Sequence, residues 1–438
     1  MAHYAQFPDV ELVNNYRPGG FHPVELSDTF NKGRYIVLHK LGYGTYSTVW
    51  LAKDCVSGKN VSLKILAAHA SQWSGNNTSE EEELKVLSRL QSEEDSEEEG
   101  RQYVMQLLDH FVHTGPNGLH RCIVTELLGP SLASDIEDLY PTERFPPSIA
   151  RALIRQIAYG VRFLHRKGIV HGDLHIGNIL LSSTKLSILA SQEEIESYYG
   201  EPEKCSLRLM PSKVTTHEGV DDDSSFPPLA PHVPRYVIET PDPTPLLHLC
   251  LDEPEHVHVK LCDFSESSVI DPSVSTAPRI ANIPKLYRAP EIMLGQPSIP
   301  SPSTDIWALA VLFHSLFTGG ASLFYSSYGL QDELLREMVL VMKTKLPEPT
   351  WSSWASRSRF FDEEGRWIAD ASISESLPYH SGKFLKIREG VIDERERGLL
   401  KQMLKSMVAL EPEERVTIED VVKSEWFTQY CCGSGTPS

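Results

Sequence analysis

The chain lacks the spacings that mark several large protein classes. Its 438 residues include seven cysteines (55, 122, 205, 250, 262, 431 and 432), with no Cys-x-x-Cys pair and no histidines at zinc-site distance. That excludes a zinc ribbon and a disulfide scaffold. Cysteines in apolar runs, such as Cys122 and Cys262, read as buried free thiols of a reducing compartment, cytoplasm or nucleus. No apolar run approaches ~20 residues. The start Met1-Ala2-His3-Tyr4 has no basic segment leading into an apolar one, so neither a membrane span nor a secretory leader is expected. Basic residues are the minority, 41 Lys plus Arg against 60 Asp plus Glu, a formal charge of −19. An acidic surface argues against direct nucleic-acid or anionic-membrane binding and favours basic partners, although solubility alone accounts for it as well. The pair Cys431-Cys432 is open to lipidation, but a flexible tail over residues 431–438 is the expectation.

The length suits a two-lobed domain with insertions rather than one small core. Residues 1–34 are punctuated by Pro and Gly and read as an arm. From Tyr35 the pattern is β: Tyr35 to Leu38, then Leu41-Gly42-Tyr43-Gly44-Thr45-Tyr46-Ser47-Thr48-Val49-Trp50-Leu51, two runs joined by a Gly-x-Gly turn. Glycines let a backbone approach phosphates with no Cβ in the way, and Leu41 and Val49 offer apolar contact to a purine. A third glycine is missing, its place taken by Ser47, and an ordinary hairpin is the competing account. A dinucleotide fold is excluded, because the motif joins strand to strand and no acidic residue ends a following strand at the expected distance.

A strand over Asn60–Leu66 carries one lysine, Lys64, at the distance where it would reach α- and β-phosphates. Its acidic partner is expected on the helical segment from Ser79, capped by that serine and striped by Leu84, Leu87 and Leu90. Glu83, just before the stripe, is the choice, and Glu80 to Glu82 are helix-start charges. Strands are expected at Tyr103–Leu108 and Arg121–Thr125. They lead to Glu126-Leu127-Leu128, where the backbone would face an adenine edge. From Pro146, Ile149, Leu153, Ile154, Ile157, Val161 and Leu164 recur at helical spacing until Gly168.

That helix delivers the chain into His171-Gly172-Asp173-Leu174-His175-Ile176-Gly177-Asn178. A carboxylate followed five residues later by an amide is what phosphoryl transfer needs. Asp173 would accept the proton of the attacking hydroxyl, and Asn178 would hold a magnesium ion against nucleotide phosphates. Residues 182–256 hold clustered prolines and Asp221-Asp222-Asp223, and read as a mostly irregular insertion with one short helix near Gln192–Tyr198. The strand expected over His258 to Ser265 then delivers Asp263, placed as the main magnesium ligand. Farther on stand Tyr287-Arg288-Ala289-Pro290-Glu291, a helix from Thr304 through Phe317, and Glu411-Pro412-Glu413-Glu414-Arg415. A Glu291–Arg415 ion pair is expected as structural.

Taken together and in order, these parts resemble the eukaryotic protein-kinase domain over about residues 35 to 430. Four stretches are similar to the SR-protein kinases in particular: Gly19 to Val24, Tyr46 to Trp50, Gly118-Leu119-His120, and Arg359-Phe360-Phe361 with Gly365. The insertion after Leu181 also falls where that family carries its spacer. The resemblance implies an α+β bilobal fold, an N-lobe over 35–128 with a small antiparallel sheet and one helix, and a mainly helical C-lobe over 129–430. It implies ATP and magnesium, a monomer, and phosphorylation of serine in arginine- and serine-rich partners such as splicing factors. Asp332, Glu333 and Glu337 lie near the helix that frames the family's substrate groove, and an exposed helix face is the competing account.

The departures set the remaining expectations. Gly172 stands where the family has an arginine that meets a phosphorylated activation loop, so activity is expected not to need phosphorylation of Ser273, Ser275 or Thr276. His175 replaces a lysine, Pro284 replaces a threonine, and Ser265 replaces a glycine. An imidazole, with an ordinary pKa of about 6.5, gives less positive charge at the γ-phosphate than a lysine, so weak catalysis restored by His175→Lys is expected. Two other functions stay open: a pseudokinase scaffold, and a small-molecule phosphotransferase, since His-Gly-Asp-Leu-His-x-Gly-Asn also resembles the loop of aminoglycoside and choline kinases.

Overall fold

A computed structural model describes residues 3–4, 9–71, 79–91, 98–140, 145–189, 191–207, 209–210, 231–253, 256–270, 282–294, 300–320, 322–324, 326, 329–348, 350–368 and 392–432, with backbone alone at 3–4, 79–82 and 209–210. The chain forms two compact units. One comprises Met1–Gln91, Met105–Pro130 and Ser182–Cys250, and the other Ser92–Val104, Ser131–Leu181 and Leu251–Ser438.

The first unit is built on an antiparallel six-stranded sheet, in the order Thr29–Phe30, Tyr35–Tyr43, Ser47–Asp54, Asn60–Leu66, Gly118–Glu126, Leu107–Gly115. Period-2 burial explains the pairing. Tyr35, Val37, Trp50, Ala52, Val61, Leu63, Ile65, Cys122 and Val124 point to one core. Three strand boundaries in this sheet differ from expectation, the simplest being the strand expected over Arg121–Thr125, which spans Gly118–Glu126. The strand Tyr35–Tyr43 runs unbroken through Gly42, which pairs with Val49, and the turn proper is Gly44 to Tyr46. The expected strand at Tyr103–Leu108 starts only at Leu107, because Arg101–Tyr103 is a short 3-10 helix, and it extends to Gly115, where the Pro116-Asn117 turn returns the chain.

Two segments expected to be loose belong to this unit's core. Val10, Val13, Tyr16 and Phe21 of the arm pack with Ala67, Ala70, Leu207, Val233 and Val237. The insertion, expected to be mostly irregular, carries helices Thr184–Ile188, Gln192–Tyr199 and Thr244–Leu251. It also forms a ladder of Lys204–Ser206 with Tyr236–Ile238, and a second pairs Leu209–Met210 with His3–Tyr4. Ser191 and Glu194 close a capping box on the middle helix. The acidic run 221–223 lies outside the described residues.

The second unit is helical. Pro147–Arg166 buries Ile149, Leu153, Ile154, Ile157, Val161 and Leu164 as its periodicity predicts, and Gly168 follows it at φ +66°. Gly160 on that helix has a packing reason, since a Cβ there would meet Leu261 Cδ1 at 2.8 Å. Pro302–Thr318 is buried from Thr304 through Phe317, the pattern of a helix surrounded by protein on all sides. Cys431, the first residue of the expected tail, instead ends a π-helical turn, Phe427–Cys431, and is buried, while residues 433–438 lie outside the described residues. All seven cysteines are free thiols, and no described helix is long and apolar enough to cross a membrane.

Candidate active site

In the first unit the ladder sets Lys64 directly opposite Val49, so the lysine emerges beside the glycine-rich turn. Lys64 Nζ donates to both oxygens of Glu83, at 2.8 and 2.9 Å. Glu83 is 1% exposed, which makes the pair a held one rather than a surface contact. Glu83, Val86 and Leu87 of the helix Ser79–Arg89, and Leu90 just after it, are buried at spacings of three and four, while Leu84 of the expected stripe is only half-buried. The side chains of Ser79 and Glu80 to Glu82 lie outside the described residues.

Gly42 and Gly44 are not glycines for the protein's own sake. Neither has a positive φ, a Cβ on Gly42 would meet nothing within 4 Å, and one on Gly44 would find only Ser47 Oγ at 3.5 Å. The space they leave open suits a phosphate chain. Leu41 is half-buried and Leu128 buried. Glu126 Oε1 accepts from the Gln106 amide at 2.9 Å, so its side chain braces the segment that leads to Leu128.

The second unit assembles the loop from Ile169. Asp305 is its anchor. One carboxylate oxygen accepts from the His171 amide at 2.8 Å and faces His165 Nε2 at 2.9 Å, while the other accepts from the Gly172 amide at 2.9 Å. Gly172 sits at φ +80°, a conformation that costs any side-chain-bearing residue on the order of 1–3 kcal/mol. The arginine expected in the family would carry that strain. Asn178 Nδ2 donates to the Asp173 carbonyl at 2.9 Å and to Asp173 Oδ2 at 3.0 Å. That leaves the Asn178 amide oxygen for a cation, and Asp173 Oδ1 buried with no hydrogen-bond partner among the described residues.

His175 is placed by a device the linear motif conceals. Its Nδ1 accepts from the Gly177 amide at 3.0 Å, so the ring proton sits on Nε2, which faces Asp173 Oδ2 at 3.4 Å. A Cβ on Gly177 would meet the ring at 2.7 Å, so His175 and Gly177 are one unit. The Tyr287 ring stacks obliquely on His175, centroids 5.8 Å apart. Burial raises the Tyr287 pKa, against hydrogen bonds to the Ile176 backbone and Ser315. Burial also presses Arg288 toward neutrality while Asp173 opposes it, and Arg288 Nε donates to the Ile283 carbonyl at 2.6 Å.

Asp263 arrives from the strand His258–Leu261, which pairs with Ile179–Ser182. The Cys262 amide donates to the Asn178 carbonyl at 2.9 Å, tying the two candidate ligands together. Asp263 adopts φ +59°, a left-handed conformation uncommon outside turns and sites. His171 joins the parts: its Nε2 lies 3.1 Å from the Cys262 carbonyl and its ring packs on Phe264, and burial lowers its pKa. The sequence motif contains this histidine, but its spacing assigned it no role.

The remaining expected residues have structural partners. Arg415 Nη1 and Nη2 grip Glu291 at 2.7 and 3.0 Å, the expected pair. Asp332 accepts from the Trp354 indole at 2.7 Å, Glu333 from Ser326 at 2.6 Å, and Glu337 is 4% exposed beside Arg336. Asp332 and Glu333 are half-buried and Glu337 is buried, so these acids do not form an exposed helix face. Ser273, Ser275 and Thr276 lie outside the described residues.

A magnesium ion binds through one or two protein oxygens completed by phosphates and water. Among the described residues no cluster of three or more His, Cys, Asp or Glu could hold a metal alone. Asn178 with Asp263 fits the magnesium pattern, in which nucleotide and metal arrive together.

Comparison with known proteins agrees. A protein kinase domain matches residues 35–190 and 249–427, and the gap falls on the insertion. Serine/threonine-protein kinase SKY1 of Saccharomyces cerevisiae is 36% identical over 174 residues, 39% of this chain and 23% of that protein. Protein kinase dsk1 of Schizosaccharomyces pombe is 38% identical over 174 residues, 39% of this chain and 30% of that protein. Serine/threonine-protein kinase SRPK of Physarum polycephalum is 26% identical over 424 residues, 95% of this chain and 91% of that protein. The matched stretch is therefore under a third of the two yeast proteins.

Proposed function

The chain belongs to the protein kinase family, and from that premise we propose that it transfers the γ-phosphoryl group of ATP to serine or threonine of arginine- and serine-rich polypeptides. The observation that carries this reading is Asp173. One of its oxygens is fixed by Asn178 and the other is buried with no hydrogen-bond partner among the described residues. That second oxygen is the one to accept a hydroxyl proton as the new O–P bond forms and the bond to the ADP leaving group breaks. Lys64, held by Glu83, orients the α- and β-phosphates, and Gly42 and Gly44 leave room for them. Asn178 and Asp263 would hold magnesium, which supplies charge neutralisation of the phosphates when bound.

The substrate class rests on the chain's acidity, −19, and on its similarity to the kinases named above. Seven free thiols suit the cytoplasm or the nucleus. A second reading, weak catalysis or a binding scaffold, is favoured by His175, whose Nδ1 is committed to the Gly177 amide and whose ring lacks a lysine's fixed charge.

The test sets purified protein, labelled ATP and magnesium against an Arg-Ser peptide, a generic basic protein and choline. Label on the Arg-Ser peptide that is lost in Asp173→Asn supports the proposal. Label on choline alone overturns it, and ATP binding without transfer to any acceptor establishes the scaffold.

A further inference from the structure

Three separate stretches of the first unit converge on one lysine. Lys40 is fully buried in the strand Tyr35–Tyr43, one residue before Leu41-Gly42. Its ammonium donates to Glu11 of the arm, itself 1% exposed, and to the Ile238 carbonyl of the insertion at 3.0 Å. Tyr16 of the arm donates its hydroxyl to the same Glu11. The ammonium also lies 5.3 Å from the Tyr43 ring centroid and 5.9 Å from that of Trp50, so it sits under the base of the glycine-rich hairpin. Next to it, His39 Nδ1 contacts the Lys40 carbonyl, and its ring faces Tyr199 of an insertion helix at 6.1 Å.

A buried ammonium is costly unless it is paired, and burial presses Lys40 toward its neutral form while Cys205 opposes that. The full set of contacts to the ammonium forms only when arm, strand and insertion are all in place. We propose that Lys40 is a positioning residue for the glycine-rich turn, anchored from below by the arm and the insertion, so that both segments set the turn's rigidity and its grip on nucleotide.

The inference deepens the kinase reading but is testable apart from it. Lys40→Met alone strands a buried carboxylate and destabilises the unit. Glu11→Met with Lys40→Met removes both charges, and such exchanges are often neutral or stabilising. A purely structural role is thus rescued in the double variant, and a positioning role is not. Hydrogen exchange of the nucleotide-free full chain gives the first readout. In the double variant, amides of residues 42–49 should exchange at least tenfold faster than in wild type, with the strand Asn60–Leu66 unchanged. The second is ATP titration, where the double variant should bind at least fivefold more weakly while kcat at saturation holds. Wild-type exchange and affinity in the double variant overturn the proposal. Absent nucleotide binding by the wild type sinks the kinase reading instead, and leaves the exchange rates to decide the role of Lys40.

Discussion

Replacing Arg415 by Ala is the sharpest test of what holds the helical unit together. The guanidinium side chain is fully buried. It donates to both Glu291 oxygens at 2.7 and 3.0 Å, to the Ser303 and Ala409 carbonyls at 2.9 Å each, and to the Leu410 carbonyl at 3.4 Å. Its plane covers the Trp307 ring at 5.1 Å. One residue therefore joins the segment at Ala409 and Leu410, the start of the buried helix Pro302–Thr318, and Glu291. Removing one partner of a buried ion pair costs about 3–5 kcal/mol. The Glu291 side chain is 23% exposed, so it regains some hydration and the lower half of that range applies. With the pair at about 3 kcal/mol and each of the three carbonyls that lose a donor at about 0.5 kcal/mol, the total is about 4–5 kcal/mol.

A loss of that size is a large part of the 5–15 kcal/mol available to a typical domain. It corresponds to a fall in Tm of roughly 10 °C at about 2–4 °C per kcal/mol. Arg415→Lys keeps the charge but loses the fork, and should cost about half as much. Glu291→Gln should cost less again, because the guanidinium keeps its carbonyl acceptors. The assay is urea unfolding followed by tryptophan fluorescence, with the slope checked to confirm that each variant unfolds in the same transition. An Arg415→Ala cost below about 1 kcal/mol would refute the reasoning, and so would Glu291→Gln being the more damaging change.

Glu83→Gln removes the charge that holds Lys64 and should weaken ATP binding about tenfold while the chain stays folded, measured by calorimetric titration; unchanged affinity would show that Lys64 needs no anchor. His175→Lys restores a fixed positive charge and should raise turnover, and steady-state kinetics giving a fast wild-type rate indifferent to the change would count against the imidazole as the limiting feature. The ring cluster of His22, His113 and His120 makes the sheet unit acid-sensitive. Burial, then repulsion from the other two rings, lowers the His22 pKa to about 3, against about 6.5 for an unfolded histidine. The unfolded chain takes up the proton first, so stability is full above about pH 6.5 and falls as pH drops toward 3. A few kcal/mol are at stake, and urea midpoints for His22→Leu should decline less with acid than those of the wild type.

What was legible in the sequence had a local signature. Lys64 lies in a strand with period-2 burial, Glu83 on a helix whose inward positions recur at three and four, and Asp173 and Asn178 within one loop. Apart from the helix Gln192–Tyr199, expected at 192–198, the arm and the insertion escaped because their structure rests on long-range contacts with no period. Lys40 meets residues 29 and 198 positions away. The ladder of Lys204–Ser206 with Tyr236–Ile238 is three residues long, too short for alternation to show, and clustered prolines masked it further. The loop at 171–178 shows the same division on a smaller scale. Its motif revealed the carboxylate and the amide, but Gly172 is explained by a left-handed backbone at φ +80° and Gly177 by the His175 ring that a Cβ would strike. Gly172 looks like a loss when the loop is set against its family. In the folded protein it is required by the left-handed backbone, so a single change back to the family's arginine at Gly172 introduces strain before it introduces function.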